Sequence, residues 1–424
     1  MNPITTVPAR NRIVIGDVGS GKTIVGFFVA LGFLHGLDIT QGFGQVAIVA
    51  PTEILASQHY HNLIKLLNKL SNDSVVCILV TAKSYFIDGE KYTKSKFENH
   101  LKQLTDKHIM WLGTHALFHR DDVQPELVMI DEQHRFGVRQ RKELTTRLEG
   151  DNLKAHFISF SATPIPRTIA LALYHDLQPL FLDRIKQRSK IDTRITMFDH
   201  LEFEVIPVIR EALSKRRKIY IVCPRIQDDD DSDLWSINQT AQYFKKYFGD
   251  TIKTLHGKAK NKDSVLQEFK DSDEHNILVA TSVIEVGVDI SEATVMVILN
   301  AERFGLAALH QIRGRIGRNS YQDNYCILVT NQQGMFSKRL NYILDSQDGF
   351  WLAQKDLELR GSGDLTGNIQ SGYTKDIELF MNIDQSDLNT IASEVDALDL
   401  SNIDTQLPRL KSYLEAQKKD IWAE

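Results

Sequence analysis

Short apolar runs of four to six residues recur along the chain, separated by longer stretches of mixed polarity. In the first half they are Arg12–Ile15, Gln45–Ala50, Leu127–Ile130 and His156–Phe160. The second half repeats the theme with Lys218–Cys223, Ile252–Leu255, Asn276–Ala280, Val295–Leu299 and Tyr325–Val329. Helix-length segments lie between them, beginning with the apolar stretch from Ile24 to Leu31. Strands alternating with helices are the pattern of parallel α/β domains, so two such domains in tandem are expected. The polar, basic stretch around residues 184–192 separates them, giving domains at 1–183 and 193–335. After about Asn331 the strand pattern stops, and a charged helical region is expected over 336–424.

Candidate chemistry sits at the ends of the strands. Arg12–Ile15 runs into Gly16-Asp17-Val18-Gly19-Ser20-Gly21-Lys22-Thr23, which fits the P-loop pattern at every fixed position. Between a strand and a helix, Gly16, Gly19 and Gly21 allow a turn whose amides cradle phosphate oxygens at a helix N-terminus. Lys22 is expected on the β/γ-phosphates and the Thr23 hydroxyl on Mg²⁺. The third strand ends in Asp131-Glu132-Gln133-His134. At the carboxyl end of a parallel strand Asp131 can hold the Mg²⁺, and Glu132 can orient and deprotonate a water. Together with the P-loop this points to hydrolysis of a nucleoside triphosphate.

Ser161-Ala162-Thr163-Pro164 follows the fourth strand, and its hydroxyls can bond the acidic pair and relay the nucleotide state; alone it is also an ordinary turn. Arg313, Arg315 and Arg318 fall within six residues, interrupted by Gly314 and Gly317 that weaken a helix. This spacing makes sense if Arg315 and Arg318 project into a cleft facing the P-loop and neutralise phosphoryl charge. Upstream, Thr281 to Asp289 offers a hydroxyl, a flexible glycine and an acid, suited to a nucleic-acid backbone and the nucleotide ribose.

Composition narrows the setting. The chain has 424 residues, 42% of them hydrophobic, enough for substantial cores. No apolar run approaches the ~20 residues of a membrane span, and no secretory leader is evident at the N-terminus. Cys77, Cys223 and Cys326 are too few and too scattered for a zinc site or disulfide framework, so the cytoplasm is expected. The net charge of −5 leaves a nucleic-acid partner dependent on a local basic track. Arg184 to Lys190, Lys215 to Lys218, and Lys258, Lys260 and Lys262 are candidates, each equally readable as a solvated surface. Asp228 to Asp233 reads as an exposed acidic loop.

Pro51-Thr52-Glu53, Gly113-Thr114-His115, the Asp131 tetrad, Ser161 to Pro164 and Gln311 to Arg318 resemble the ordered motifs of superfamily-two helicases. Within them the chain is similar to the RecG family, in Asp131 to Val138, Ala162 to Thr168, Val283 to Asp289, Glu302 to Leu306 and His310 to Arg318. Gly349 to Gly363 resembles that family's translocation region, and the likeness runs from about Arg12 to Gly372. The resemblance implies two RecA-like, P-loop NTPase domains closing on ATP and Mg²⁺, driving movement on duplex or branched DNA. It implies nucleotide contacts from Gly287, Asp289 and Gln311. For coupling or DNA contact it implies Thr114, Gln133, His134, Ser161, Thr163, Thr281, Arg360 and Gln370.

Departures accompany it. Gly367-Asn368-Ile369-Gln370 stands where the family reads Gly-Thr-Arg-Gln, and Arg188-Ser189-Lys190 replaces a proline-glycine-arginine turn. Only fifteen residues precede Gly16, leaving no room for the family's wedge domain or its adenine-contacting segment. A separate chain supplying the wedge would reconcile this with intact motifs. Two alternatives stand beside the helicase expectation: a remnant without independent activity, and a translocase resembling the transcription-repair coupling factor.

Overall fold

Parallel strands place their carboxyl ends along one edge, and in this protein two sheets do so. The computed structural model describes residues 11–38, 43–82, 84–132, 155–161, 178–183, 189–224, 234–256, 259, 262–281, 290, 292–318, 321, 323–331 and 338–360. The first sheet contains β1 (Asn11–Gly16), β2 (Gln45–Val49), β3 (Val75–Val80), β4 (Tyr85–Ile87), β5 (Glu90–Tyr92), β6 (His108–Gly113), β7 (Leu127–Asp131), β8 (His156–Ser161) and β9 (Gln178–Leu182). Their order is β5-β4-β3-β6-β2-β7-β8-β1-β9. All neighbours are parallel except at one edge, where β3, β4 and β5 run antiparallel. Helices α1 (Lys22–Asp38), α2 (Glu53–Leu70) and α3 (Lys94–Leu101) connect the strands.

The second sheet is wholly parallel: β10 (Ile191–Met197), β11 (Lys218–Val222), β12 (Ile252–Leu255), β13 (Ile277–Ala280), β14 (Ala293–Ile298) and β15 (Asn324–Thr330). The order is β10-β15-β14-β11-β13-β12. Its helices are α4 (Ile206–Ser214), α5 (Ile237–Phe248), α6 (Lys262–Asp271) and α7 (Leu306–Arg313). Two more follow, α8 (Lys338–Asp345) and α9 (Gly349–Arg360). The tandem α/β architecture expected from the pattern is therefore observed.

Every expected strand is present, with ends shifted by at most two residues. Six more were not expected, for distinct reasons. β3 (VVCILV) and β6 (HIMWLG) are buried throughout and are told from helix segments only by length. β9 and β10 carry polar or exposed positions, because β9 and β10 lie at sheet edges. The hairpin β4–β5 turns at Asp88-Gly89, both with positive φ (47° and 95°), as an Asp-Gly hairpin turn requires. β10 also claims Ile191 and Asp192, the last residues of the expected linker.

The basic stretch Lys215 to Lys218 is not a free track. Lys215 pairs with Glu211 and Asp323, Arg217 stacks over Tyr321, and Lys218 is buried in β11 with its ammonium on the Ser272 and His275 carbonyls. The side chains of the other two basic stretches, Lys190 apart, and the Asp228–Asp233 run lie outside the described residues. All three cysteines are buried free thiols. Among the described residues no helix is long and apolar enough to cross a membrane.

The two sheets meet through the C-terminal helices. Phe350 at the start of α9 packs on Ile13 and Ile15 of β1, edge-on to Phe181 of β9 at 6.0 Å, while Leu352 two residues on lies in the second sheet's core. A single helix end thus belongs to both cores.

Candidate nucleotide site at the domain boundary

Strand order alone assembles most of this site. β7, β8 and β1 are neighbours, with Asp131 opposite Phe160 and Ser161 opposite Ile15. Asp131, Ser161 and Gly16 therefore reach the same edge side by side, in the crevice where α/β sheets take ligands. The loop after β1 is shaped by Gly19 and Gly21, whose φ values of 73° and 85° admit glycine without strain. A Cβ on Gly16 would collide with the Ser20 hydroxyl. Lys22 opens α1, and its ammonium rests on the carbonyls of Gly16 (2.8 Å) and Asp17 (2.9 Å). Burial pushes the Lys22 pKa below its ordinary value; Glu132, Asp131 and Asp17 oppose that, while Arg318 adds to it.

Asp131 accepts a hydrogen bond from His59 Nε2 to Oδ2 at 2.9 Å. Burial would push this carboxyl up, but the bond and charge of His59, then Lys22 and the Glu132 backbone N–H, hold it below its usual range. Thr23, His59 and Asp131 line one small cavity of about 20 Å³, together with the apolar Phe27, Ile48, Met129 and Phe160. Thr23 and Asp131, the two residues expected on a cation, thus border the same small cavity. Among the described residues no cluster of three or more histidine, cysteine or carboxylate ligands exists, so a cation here would complete its shell with phosphate and water. Glu132 follows with φ of 51°, and its N–H donates to the Phe160 carbonyl at 2.9 Å. A non-glycine residue held in the left-handed region is strained, and such strain concentrates at functional positions.

The second sheet contributes α7 and the turn after it. The helix ends at Arg313, so Gly314 and Gly317 lie outside it and carry no helical penalty; Gly317 has φ of 70°. A Cβ on Gly314 would sit 3.0 Å from Val18 of the P-loop, which measures how closely the turn approaches the first domain. Arg318, its Nε donating to the Gly314 carbonyl at 3.2 Å, is the residue whose charge reaches Lys22. Gln311 in α7 and Arg315 in the turn are half-buried. Arg313 is turned away from the loop: its guanidinium donates to the carbonyls of Ile343 (2.5 Å) and Ser346 (2.8 Å) and lies 3.2 Å from His310 Nδ1.

Lys22, Thr23, Asp131, Glu132, Ser161 and Arg318 are therefore gathered at one place. Thr114 is not: it follows β6, four strands from β1, about 19 Å along the same edge. Thr281 follows β13 on the second sheet, buried, its N–H on the Leu255 carbonyl. Gln133, His134, Thr163, Gly287, Asp289, Ile369 and Gln370 lie outside the described residues, as does the Arg360 side chain at the end of α9. His59 lies outside every motif, and His310 opens the His310–Arg318 motif with no role assigned to it by the sequence. His59 belongs to the buried stripe Leu55, Ala56, His59, Tyr60, Leu63, Leu67 of α2, and a histidine on such a stripe is its only trace in the sequence. His310 is likewise on the buried face of α7, and bonds Asp17.

Two mixed α/β domains with a P-loop, an acidic strand end and a facing arginine turn make a two-domain P-loop fold with a candidate nucleotide site at the boundary. Residues 2–172 match the DEAD/DEAH box helicase family and residues 204–320 match the helicase conserved C-terminal domain. Within that class the chain is similar to RecG helicases over most of its length. It is 41% identical over 371 residues to the ATP-dependent DNA helicase RecG of Synechocystis, covering 85% of this chain and 42% of that protein. Similarity to the RecG proteins of Aquifex aeolicus (41%; 86% and 44% covered) and Bacillus subtilis (37%; 85% and 51% covered) is comparable. The chain thus spans about half the length of the curated relatives it matches. A structure of RecG bound to a three-way DNA junction aligns with a TM-score of 0.67 at 33% identity, covering 88% of this chain and 47% of that one. The Mycobacterium smegmatis helicase Lhr, at 16% identity and a TM-score of 0.55, covering 80% of this chain and 46% of Lhr, shares the fold.

Proposed function

We propose that the chain is an ATP-driven DNA motor of the RecG type, acting on duplex or branched DNA in recombination and repair. The observation that carries this is the approach of the second domain's arginine turn to the P-loop, with Gly314 against Val18 and the charge of Arg318 reaching Lys22 on the first domain. A site split between two domains ties hydrolysis to their relative movement, which is what a motor needs and a simple nucleotide binder does not. ATP with Mg²⁺ supplies a scissile phosphoanhydride and a Lewis acid. Lys22 and the loop amides bind the phosphates, Thr23 and Asp131 hold the cation, and Glu132 orients and deprotonates water. Arg318, with Arg315 beside it, offsets charge on the transferred phosphoryl group.

Gln311, Gly287 and Asp289 complete the nucleotide contacts in this reading. Thr114, Thr281 and the Gln133–His134 and Ser161–Thr163 pairs connect that site to a DNA backbone, held through phosphates without sequence preference. Residues 336–424, with Arg360 and Gln370, pass domain movement to the DNA. The names of the relatives and of the junction-bound neighbour support the choice of ATP and DNA. Lys22→Ala tests the assignment: ATP turnover is expected to vanish in a variant that still folds, and retained turnover overturns it.

A further inference from the structure

Asp17, His310 and Gly349 meet at one point, although they come from the P-loop, from α7 and from the first residue of α9. His310 Nε2 lies 2.6 Å from Asp17 Oδ1, with the two side chains only 5% and 3% exposed. The same oxygen accepts the Val18 N–H at 2.6 Å, and the Asp17 carbonyl receives the Lys22 ammonium. On the other side of the imidazole, Arg313 Nη2 is 3.2 Å from Nδ1. A guanidinium only donates, so Nδ1 must accept, and the proton of the neutral ring sits on Nε2 facing the carboxylate. Arg313 is itself fastened to the Ile343 and Ser346 carbonyls, in and just after α8. A Cβ on Gly349 would lie 2.8 Å from both Asp17 Oδ1 and His310 Nε2, so the start of α9 is closed down on the pair.

We infer that His310 is a positioning residue for the nucleotide loop, acting across the domain boundary through Asp17, with Arg313 fixing its tautomer. The inference rests on reading the P-loop as a nucleotide site. Its consequence is that the loop holding Lys22 takes its shape partly from the second domain and from the α8–α9 junction, so these helices sense the loop directly. Neither half of the contact is a nucleotide ligand by its own side chain.

The test uses the full chain and a fluorescent ATP analogue, comparing wild type with His310→Phe and His310→Gln. Loss of a hydrogen bond to a buried carboxylate is expected to weaken analogue binding by about tenfold or more in His310→Phe. His310→Gln, whose amide N–H can replace Nε2–H, is expected within about threefold of wild type. A role in packing alone would not be rescued in this way. Imidazole ¹⁵N spectra of wild type, with the His310 signal assigned by its loss in His310→Gln, are expected to show the Nε2–H form; this arm stands even if His310→Phe does not fold. An Nδ1–H form, unchanged affinity in folded His310→Phe, or equal weakening in both variants overturns the inference. Failure of wild type to bind the analogue overturns the nucleotide-site reading instead.

Discussion

His59→Phe isolates one atom of the candidate site. The ring of His59 stands edge-on to Phe27 at 6.4 Å and 89°, and phenylalanine keeps that packing while deleting the donor to Asp131. The deleted bond is 2.9 Å long between side chains only 10% and 20% exposed, so solvent replaces little of it. Hydrogen bonds to charged groups contribute about 1.5–3 kcal/mol, and the burial that pushes Asp131 towards its protonated form stays in place. In a domain of this size each kcal/mol moves the midpoint by about 2–4 °C, so unfolding of the first domain should fall by about 3–12 °C. Calorimetry with hydrogen exchange on α2 peptides assigns the transition to that domain. His59→Gln, which restores an N–H, should recover most of the loss. The Mg²⁺ concentration for half-maximal ATP turnover should rise in His59→Phe, since the carboxylate is no longer oriented. A midpoint within 1 °C of wild type, or equal losses in the two variants, would refute the reasoning.

Arg318→Ala should lower ATP turnover by about 10³-fold or more while changing nucleotide affinity little, because its charge acts on the transferred group; steady-state kinetics showing less than a tenfold loss would remove it from that role. Gly349→Ala should open the Asp17–His310 contact, since the added Cβ meets both partners at 2.8 Å. Overpacking of this kind costs about 1–3 kcal/mol, readable in thermal unfolding, and an unshifted midpoint would show that α9 simply slides away.

Much of this site is legible in the sequence because its chemistry falls at strand ends. Gly16 to Thr23 and Asp131–Glu132 are short contiguous strings, and parallel-strand topology converts them into neighbours whatever lies between. The arginine turn is a contiguous string too, and its spacing singles out Arg315 and Arg318; the structure anchors Arg313 on carbonyls and brings the charge of Arg318 to Lys22. That difference depends on where α7 stops and on which backbone carbonyls α8 presents. His59 was hidden because it is one polar residue on the apolar face of α2, and the role of His310 was hidden because its partner lies 293 positions away, as that of His59 lies 72 away. Edge strands were hidden because half-solvated positions dilute an apolar run. The hairpin at Asp88-Gly89 is different: its turn signal stands in the sequence, but strands of three residues on either side are too short to show an alternating run.

ATP hydrolysis by the purified chain, with and without forked DNA and with Glu132→Gln as the blank, tests the central claim most directly. DNA-stimulated turnover that disappears in Glu132→Gln is the predicted result. Well-folded protein that hydrolyses nothing in either condition, or a Glu132→Gln variant that turns over like wild type, would contradict it.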